Sequence, residues 1–323
     1  MRRSTGVVLG ASVAVFALAL GLILGSGPLR HLVWGSGSSE TDALRATVAD
    51  LTRERDDALA QRDLAAQLSA ALAPATVEGM LTGQTVALVV DAGVGEQEQA
   101  ALVSMLEAAG ARVSVTVTLT QAWGDESQSV FRGALAEELV GELREPAPGA
   151  STLQLLQAAT VQAVIPSAAR PPSDADGPVD PTAPSTQSLV LRDILVRAGL
   201  VTVTDAAEDP ATDPDPDTLP EPSVAVLLGA ATVQAEAFVA WGEAFHAVGV
   251  ATVVTATSPT DRAWVDAGVG ARVSVVADAS SAAGQALVVL AAREQLAGGA
   301  GVYGDPLTTP LVPGVLRDSP GAP

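Results

Sequence analysis

Asp91-Ala92-Gly93-Val94-Gly95 is the stretch whose residue types come nearest to a ligand loop, because it begins as a dinucleotide-binding turn does. Glu96-Gln97-Glu98 then stands where a third glycine is expected, and acidic residues at a helix start compete with phosphate for the amide groups. A structural turn with an acidic first helical turn accounts for the same residues. Metal ligands are sparse: there is no Cys, the histidines are His31 and His246, and Met80 and Met105 are the methionines beyond Met1. Cu(I) asks for thiolate or thioether clusters and Cu(II) for imidazoles, and neither is grouped here. Asp213-Pro214-Asp215-Pro216-Asp217 alternates carboxylates like a calcium loop, but it lacks the turn glycine and the distal Glu. Proline holds that run extended, as in a solvated loop. Nucleophilic chemistry has no better footing: there is no G-x-S-x-G turn, and Ser167 and Ser258 have no patterned His partner. Glu137 and Glu138 are adjacent and point to different faces of a helix. No catalytic, cofactor-binding or metal-ligating residue is assigned, no cofactor is implied, and the chain is expected not to be an enzyme.

Composition narrows the partners. The 323 residues carry a formal charge of −20. Such a surface repels duplex nucleic acid, and no basic stripe overcomes it, so nucleic acid is not an expected partner. Aromatics are scarce and small aliphatic residues abundant, which suits the core of α/β layers better than an aromatic-girdled barrel. With no Cys there are no disulfides, so an oxidising compartment is allowed without being demonstrated.

Residues 1–30 are expected to form a transmembrane signal-anchor. After Arg2 and Arg3 the chain runs from Ser4 to Leu29 without an ionisable side chain, long enough to cross a hydrocarbon core of about 30 Å. A cleaved secretory signal is the alternative, with Ala17-Leu18-Ala19 as a small-x-small site inside the apolar run. Arg2 and Arg3 favour the cytoplasmic side, which places the rest of the chain outside the cytoplasm. Gly6, Gly10 and Gly21, Gly25 have the spacing of a helix-pairing face, and glycine tolerated in a lipid helix explains them equally. Gly35–Ser39 reads as a hinge. Residues 40–73 read as a charged stalk helix, ended by Pro74, with Leu44, Leu51, Ala58, Ala65 and Leu72 recurring every seven residues. The companion positions Thr47, Glu54 and Gln61 are polar, so this is half of a coiled-coil seam. It supports homo-oligomerisation through the stalk, or a solvated helix with pairs such as Arg53 and Asp57.

Residues 83–304 alternate short apolar strands with amphipathic helices and read as an extracytoplasmic α/β domain. Thr85–Val90 is a β-branched run typical of a strand buried on both faces, followed by a helix over Glu96–Ala109 and a strand over Arg112–Leu119. Helices are expected over Ser127–Arg144, Ser151–Val164 and Leu189–Ala198, with a short strand near Val201. Two Pro/Asp-rich loops are expected near 166–185 and 205–222. A second set follows: strand Ser223–Leu228, helix Ala235–Val248, strand Val250–Thr255, strand Arg272–Ala277 and helix Ala282–Leu296, with an irregular tail over 305–323. The fold class is α/β: a doubly wound, mostly parallel sheet, preceded by one transmembrane helix and a coiled-coil-like stalk helix. Two smaller lobes are the alternative.

Several stretches in order carry a resemblance. The apolar segment ends Ala19-Leu20-Gly21-Leu22-Ile23-Leu24-Gly25-Ser26-Gly27, and the stalk holds Leu51-Thr52-Arg53-Glu54-Arg55-Asp56-Asp57-Ala58-Leu59. Leu81-Thr82-Gly83-Gln84-Thr85-Val86 opens the first strand, Val113-Ser114-Val115-Thr116-Val117-Thr118-Leu119-Thr120 forms the second, and Gly298-Gly299-Ala300-Gly301-Val302-Tyr303-Gly304 follows the last long helix. Together they resemble the actinobacterial MctB family of copper transport proteins of the cell envelope. The resemblance implies a role in copper efflux and copper homeostasis, with the outer membrane as a location and, for mycobacterial members, a proposed channel. A spanning barrel needs many strands of about ten alternating residues with aromatic girdles, and this chain has few such strands and one Tyr. Lacking grouped ligands, the chain is expected to meet copper ions only indirectly or weakly. The alternative is a non-transporting envelope scaffold, or a binding module whose α/β domain recognises a protein or glycan.

Overall fold

The computed structural model describes residues 38–169, 186–205, 221–230, 234–257, 262–305, 308 and 312–314. The expected membrane segment, His31, Ser258, the Asp213–Asp217 run, and most of both Pro/Asp loops and of the C-terminal tail lie outside the described residues. Among the described residues no helix is long and apolar enough to cross a membrane.

The chain divides into two units, Met1–Leu64 and Ala65–Pro323. Helix α1 (Ser38–Val77) contributes to both and begins inside the stretch expected to be a hinge. In the first unit its described side chains are exposed, with Asp42–Arg45 and Asp50–Arg53 ion pairs at i,i+3, the latter in place of the expected Arg53–Asp57 pair. In the second unit the helix runs through Pro74, which was expected to end it. Proline removes one backbone donor, and packing outweighs the loss: Ala73 and Val77 are buried in the core and Thr76 Oγ1 donates to the Leu72 carbonyl.

The second unit is a mixed α/β body around one seven-stranded, mostly parallel sheet. The elements that follow are β1 (Thr85–Val90), α2 (Glu96–Ala108), β2 (Arg112–Leu119), α3 (Gln121–Gly124), α4 (Ser129–Leu139), α5 (Thr152–Val164), α6 (Pro166–Ala169), α7 (Thr186–Arg197), β3 (Val201–Asp205), β4 (Val224–Gly229), α8 (Ala235–Ala247), β5 (Ala251–Ala256), α9 (Ala263–Gly268), β6 (Ser274–Val276), α10 (Ala282–Leu296) and β7 (Val302–Tyr303). The strand order is β3-β2-β1-β4-β5-β6-β7, with β3 the antiparallel edge.

Side chains alternate across the pleat and so feed two cores. Ala87, Val89, Ala225 and Leu227 face the helices α4, α5, α7, α8 and α9. Val86, Leu88, Val90, Val224, Val226 and Leu228 face α2, α10 and the end of α1. Helices therefore cover both faces, and strands buried on both sides read as continuous apolar runs. From β4 the chain advances to β5 and β6 through α8 and α9 on one face, then reaches β7 through α10 on the other. That last crossover has the opposite hand to those before it, an arrangement that is rare among parallel units.

Other boundaries depart from the sequence pattern. The helix expected over Ser127–Arg144 stops at Leu139, after a separate 3-10 turn at Glu126–Gln128. Arg144 instead sits in a turn, its backbone N–H and carbonyl both bonded to the Gln162 side chain. Pro166–Ala169, expected as loop, is a short helix: proline suits a first helical position, and Ala168 and Ala169 are buried. The strand expected over Arg272–Ala277 forms only at Ser274–Val276, because the Arg272 backbone N–H and guanidinium are both engaged by Glu243.

Candidate functional site

In a sheet of this order the chain leaves β1 toward β2 and leaves β4 toward β5, so the carboxyl ends of β1 and β4 splay their loops apart. Ligands of open α/β sheets bind at such a switch point. A cleft of about 650 Å³ opens there. Asp91, the residue after β1, stands at its edge, and Leu119 comes from the end of β2. Trp123 and Gly124 come from α3, Ser129 and Arg132 from α4, and Thr152, Leu153 and Gln157 from α5. Gln234, Ala237, Phe238 and Trp241 from the start of α8 complete it.

The loop Asp91–Gly95 lies where the sequence places it, at the strand's carboxyl end, but the amides of Gly93, Val94 and Gly95 are already engaged. Gly93 N–H donates to Asp91 Oδ2 at 3.0 Å, Val94 N–H to the Asp91 carbonyl at 3.0 Å, and Gly95 N–H to Glu98 Oε2 at 3.3 Å. A phosphate would have to displace two of the chain's own carboxylates, so the dinucleotide reading loses its cradle. Asp91 Oδ1, by contrast, takes no hydrogen bond among the described residues.

Aromatic side chains build one wall. Trp123 stacks on Trp241 with ring centroids 5.2 Å apart and planes 6° from parallel. Phe238 meets Trp241 edge-on at 5.6 Å and Trp264 edge-on at 5.9 Å. Gly229, at the end of β4, makes room for this row: a Cβ there would lie 2.6 Å from the Trp264 ring. Trp241 is fully buried and its Nε1 has no hydrogen-bond partner among the described residues, whereas Trp123 is half-buried at the cleft.

The polar wall is held in place by backbone contacts. Arg132 donates from one terminal nitrogen to the carbonyls of Ala122 at 2.8 Å and Asp125 at 2.6 Å, pinning α3 and the turn after it to α4. Its Nε and other terminal nitrogen meet no acceptor among the described residues. Gln157, buried on α5, donates Nε2 to the Ala237 carbonyl at 3.2 Å and so ties α5 to α8. Gln234 is exposed at the start of α8 and its side chain does not cap that helix. A shallower hollow of about 350 Å³ adjoins, bordered by Asp91 and Asp125. The Asp125 carboxyl is held below its ordinary pKa, chiefly by the Ser127 backbone N–H and then by the Ser127 hydroxyl.

The remaining sequence candidates do not converge on the cleft. Met105 is buried in the core on the α2 side and Met80 packs against the same cluster. His246 lies in the last turn of α8 with Nδ1 buried and unpartnered among the described residues. Ser167 bonds to Glu221 through both its N–H and its hydroxyl, and Glu137 and Glu138 are both exposed. Among the described residues no three His, Cys, Asp or Glu side chains group as metal ligands would. Apart from Asp91, sequence reasoning missed the cleft, whose residues arrive from separate elements. One signal was available: in a chain with four Trp, four Phe and one Tyr, Trp123, Phe238, Trp241 and Trp264 form a single row.

The family model described as "Copper transport outer membrane protein, MctB" matches residues 6–309, and the chain belongs to that family. Comparison with curated proteins finds no match.

Proposed function

We propose that the chain is a membrane-anchored component of copper transport in the cell envelope. It acts in copper efflux and homeostasis by supporting a conduit, and the metal itself touches the chain only indirectly or weakly. The observation that carries this reading is the family match over residues 6–309, nearly the whole chain. The family description supports an outer-membrane or envelope location, and the uncharged run from Ser4 to Leu29 supports a single pass with the α/β body outside the cytoplasm. Copper is cargo here. With no Cys and two His in the whole sequence, the chain offers little that would hold the ion tightly. Deleting the chain tests this: cellular copper and copper sensitivity should both rise and return to normal on complementation. Unchanged copper in the deletion strain overturns the transport reading.

A second reading is favoured by the cleft at the β1/β4 switch point. In it the α/β body is a binding module for an envelope component, whether or not copper passes nearby. Mixed polar and aromatic lining and a volume within the usual range of roughly 300–1,000 Å³ are the features of a ligand site.

A further inference from the structure

We infer that the cleft between the ends of β1 and β4 is a saccharide-binding site, an inference that rests on the binding-module reading of the α/β body. The argument is one of elimination followed by fit. Phosphate groups find the Gly93, Val94 and Gly95 amides occupied by Asp91 and Glu98, and Asp91 and Asp125 add negative charge on the same side. A metal ion finds two carboxylates flanking an open hollow and no third ligand among the described residues. A purely apolar ligand would desolvate Asp91 Oδ1 and the Arg132 Nε and second terminal nitrogen, which have no partner among the described residues.

What the cleft offers is an indole platform beside planar hydrogen-bonding groups. Trp123 is half-buried and braced from one side by its stack on the fully buried Trp241, so a ring presented to the cleft is held rigidly. Around it stand an acceptor with a free oxygen (Asp91 Oδ1), donors with free N–H groups (Arg132), and two amides (Gln157 and Gln234) that both donate and accept. A pyranose or furanose ring matches this set: C–H groups on its face meet the indole, and adjacent hydroxyls bridge the planar side chains at its rim. Gln157 is buried and already fixed to the Ala237 carbonyl, and Arg132 to two carbonyls, so little ordering is left for binding to impose.

The test uses the full chain in mild detergent. A β-1,4-linked N-acetylglucosamine trisaccharide and an arabinofuranosyl trisaccharide are the probes, with inorganic phosphate and ATP as controls. Saturation-transfer NMR and tryptophan fluorescence report binding. Either sugar should bind while phosphate and ATP do not, and Trp123→Ala should weaken binding by about tenfold. Asp91→Asn, nearly isosteric, should weaken it by a similar factor with the far-UV spectrum unchanged, which separates lost recognition from lost folding. No binding of either sugar, or undiminished binding by the Asp91→Asn variant, overturns the assignment. Binding of ATP or phosphate but of neither sugar overturns the saccharide assignment and leaves the binding-module reading standing, whereas no binding of any probe fails both.

Discussion

Gly242 lies in the middle of α8, the helix that carries Phe238 and Trp241 to the cleft, and replacing it with alanine sets two effects against each other. Alanine is favoured over glycine within a helix by about 1 kcal/mol, so propensity alone would make Gly242→Ala stabilising. The new Cβ would lie 2.6 Å from Val254 Cγ2, with Thr252 Cγ2 at 3.4 Å and Val273 Cγ1 at 3.6 Å. Val254 is fully buried in β5 and β-branched, so its methyl has no free space to enter and the helix must lift from the sheet. Overpacking of this kind costs about 1–3 kcal/mol, which leaves a net loss of up to roughly 2 kcal/mol after the propensity gain. For a body this large each kcal/mol lowers Tm by about 2–4 °C. Thermal and urea unfolding of the full chain, followed by tryptophan fluorescence, measures the loss. Repeating the substitution in a Val254→Ala background should abolish most of it, because the clashing methyl is gone. A variant more stable than the parent, or an equal cost in both backgrounds, would refute the reasoning.

Asp125 should titrate below the ordinary Asp value, and Ser127→Ala should raise its midpoint part of the way, as read by NMR. Because its folded pKa is depressed, its contribution is present above the unfolded value and is lost as pH falls through the folded one, loosening the turn that Arg132 pins. On the stalk, Leu44, Leu51 and Leu72 are 61%, 59% and 62% exposed, and we expect them to pair two chains. Leu51→Asp should abolish cross-linked dimers in mild detergent, and a parent chain that runs as a monomer sinks that expectation. Micromolar copper should leave the unfolding midpoint unchanged, since tight binding to the native state would raise it; a clear rise would show a copper site in the chain.

The strands of the sheet interior were the most legible part. Thr85–Val90 and Arg112–Leu119 match their sequence boundaries, and a run such as Val86-Ala87-Leu88-Val89-Val90, buried on both faces, has no reading other than a central strand. The end of α1 was not legible, because Pro74 is a strong local stop and only the burial of Ala73 and Val77 overrides it. Nor was β7, whose two residues, Val302 and Tyr303, are too few to show a period. Of the cleft, only Asp91 announced itself, through the loop it opens. Trp123, Arg132, Gln157 and Trp241 sit on four helices, and it is the order of the strands that brings them together. No local spacing encodes that order.

The role in copper transport is tested most directly by the rate at which copper leaves preloaded cells. Cells lacking the chain, loaded with copper and moved to copper-free medium, should lose it more slowly than the parent, and complementation with the full chain should restore the rate. Equal rates of copper loss with and without the chain would contradict the account.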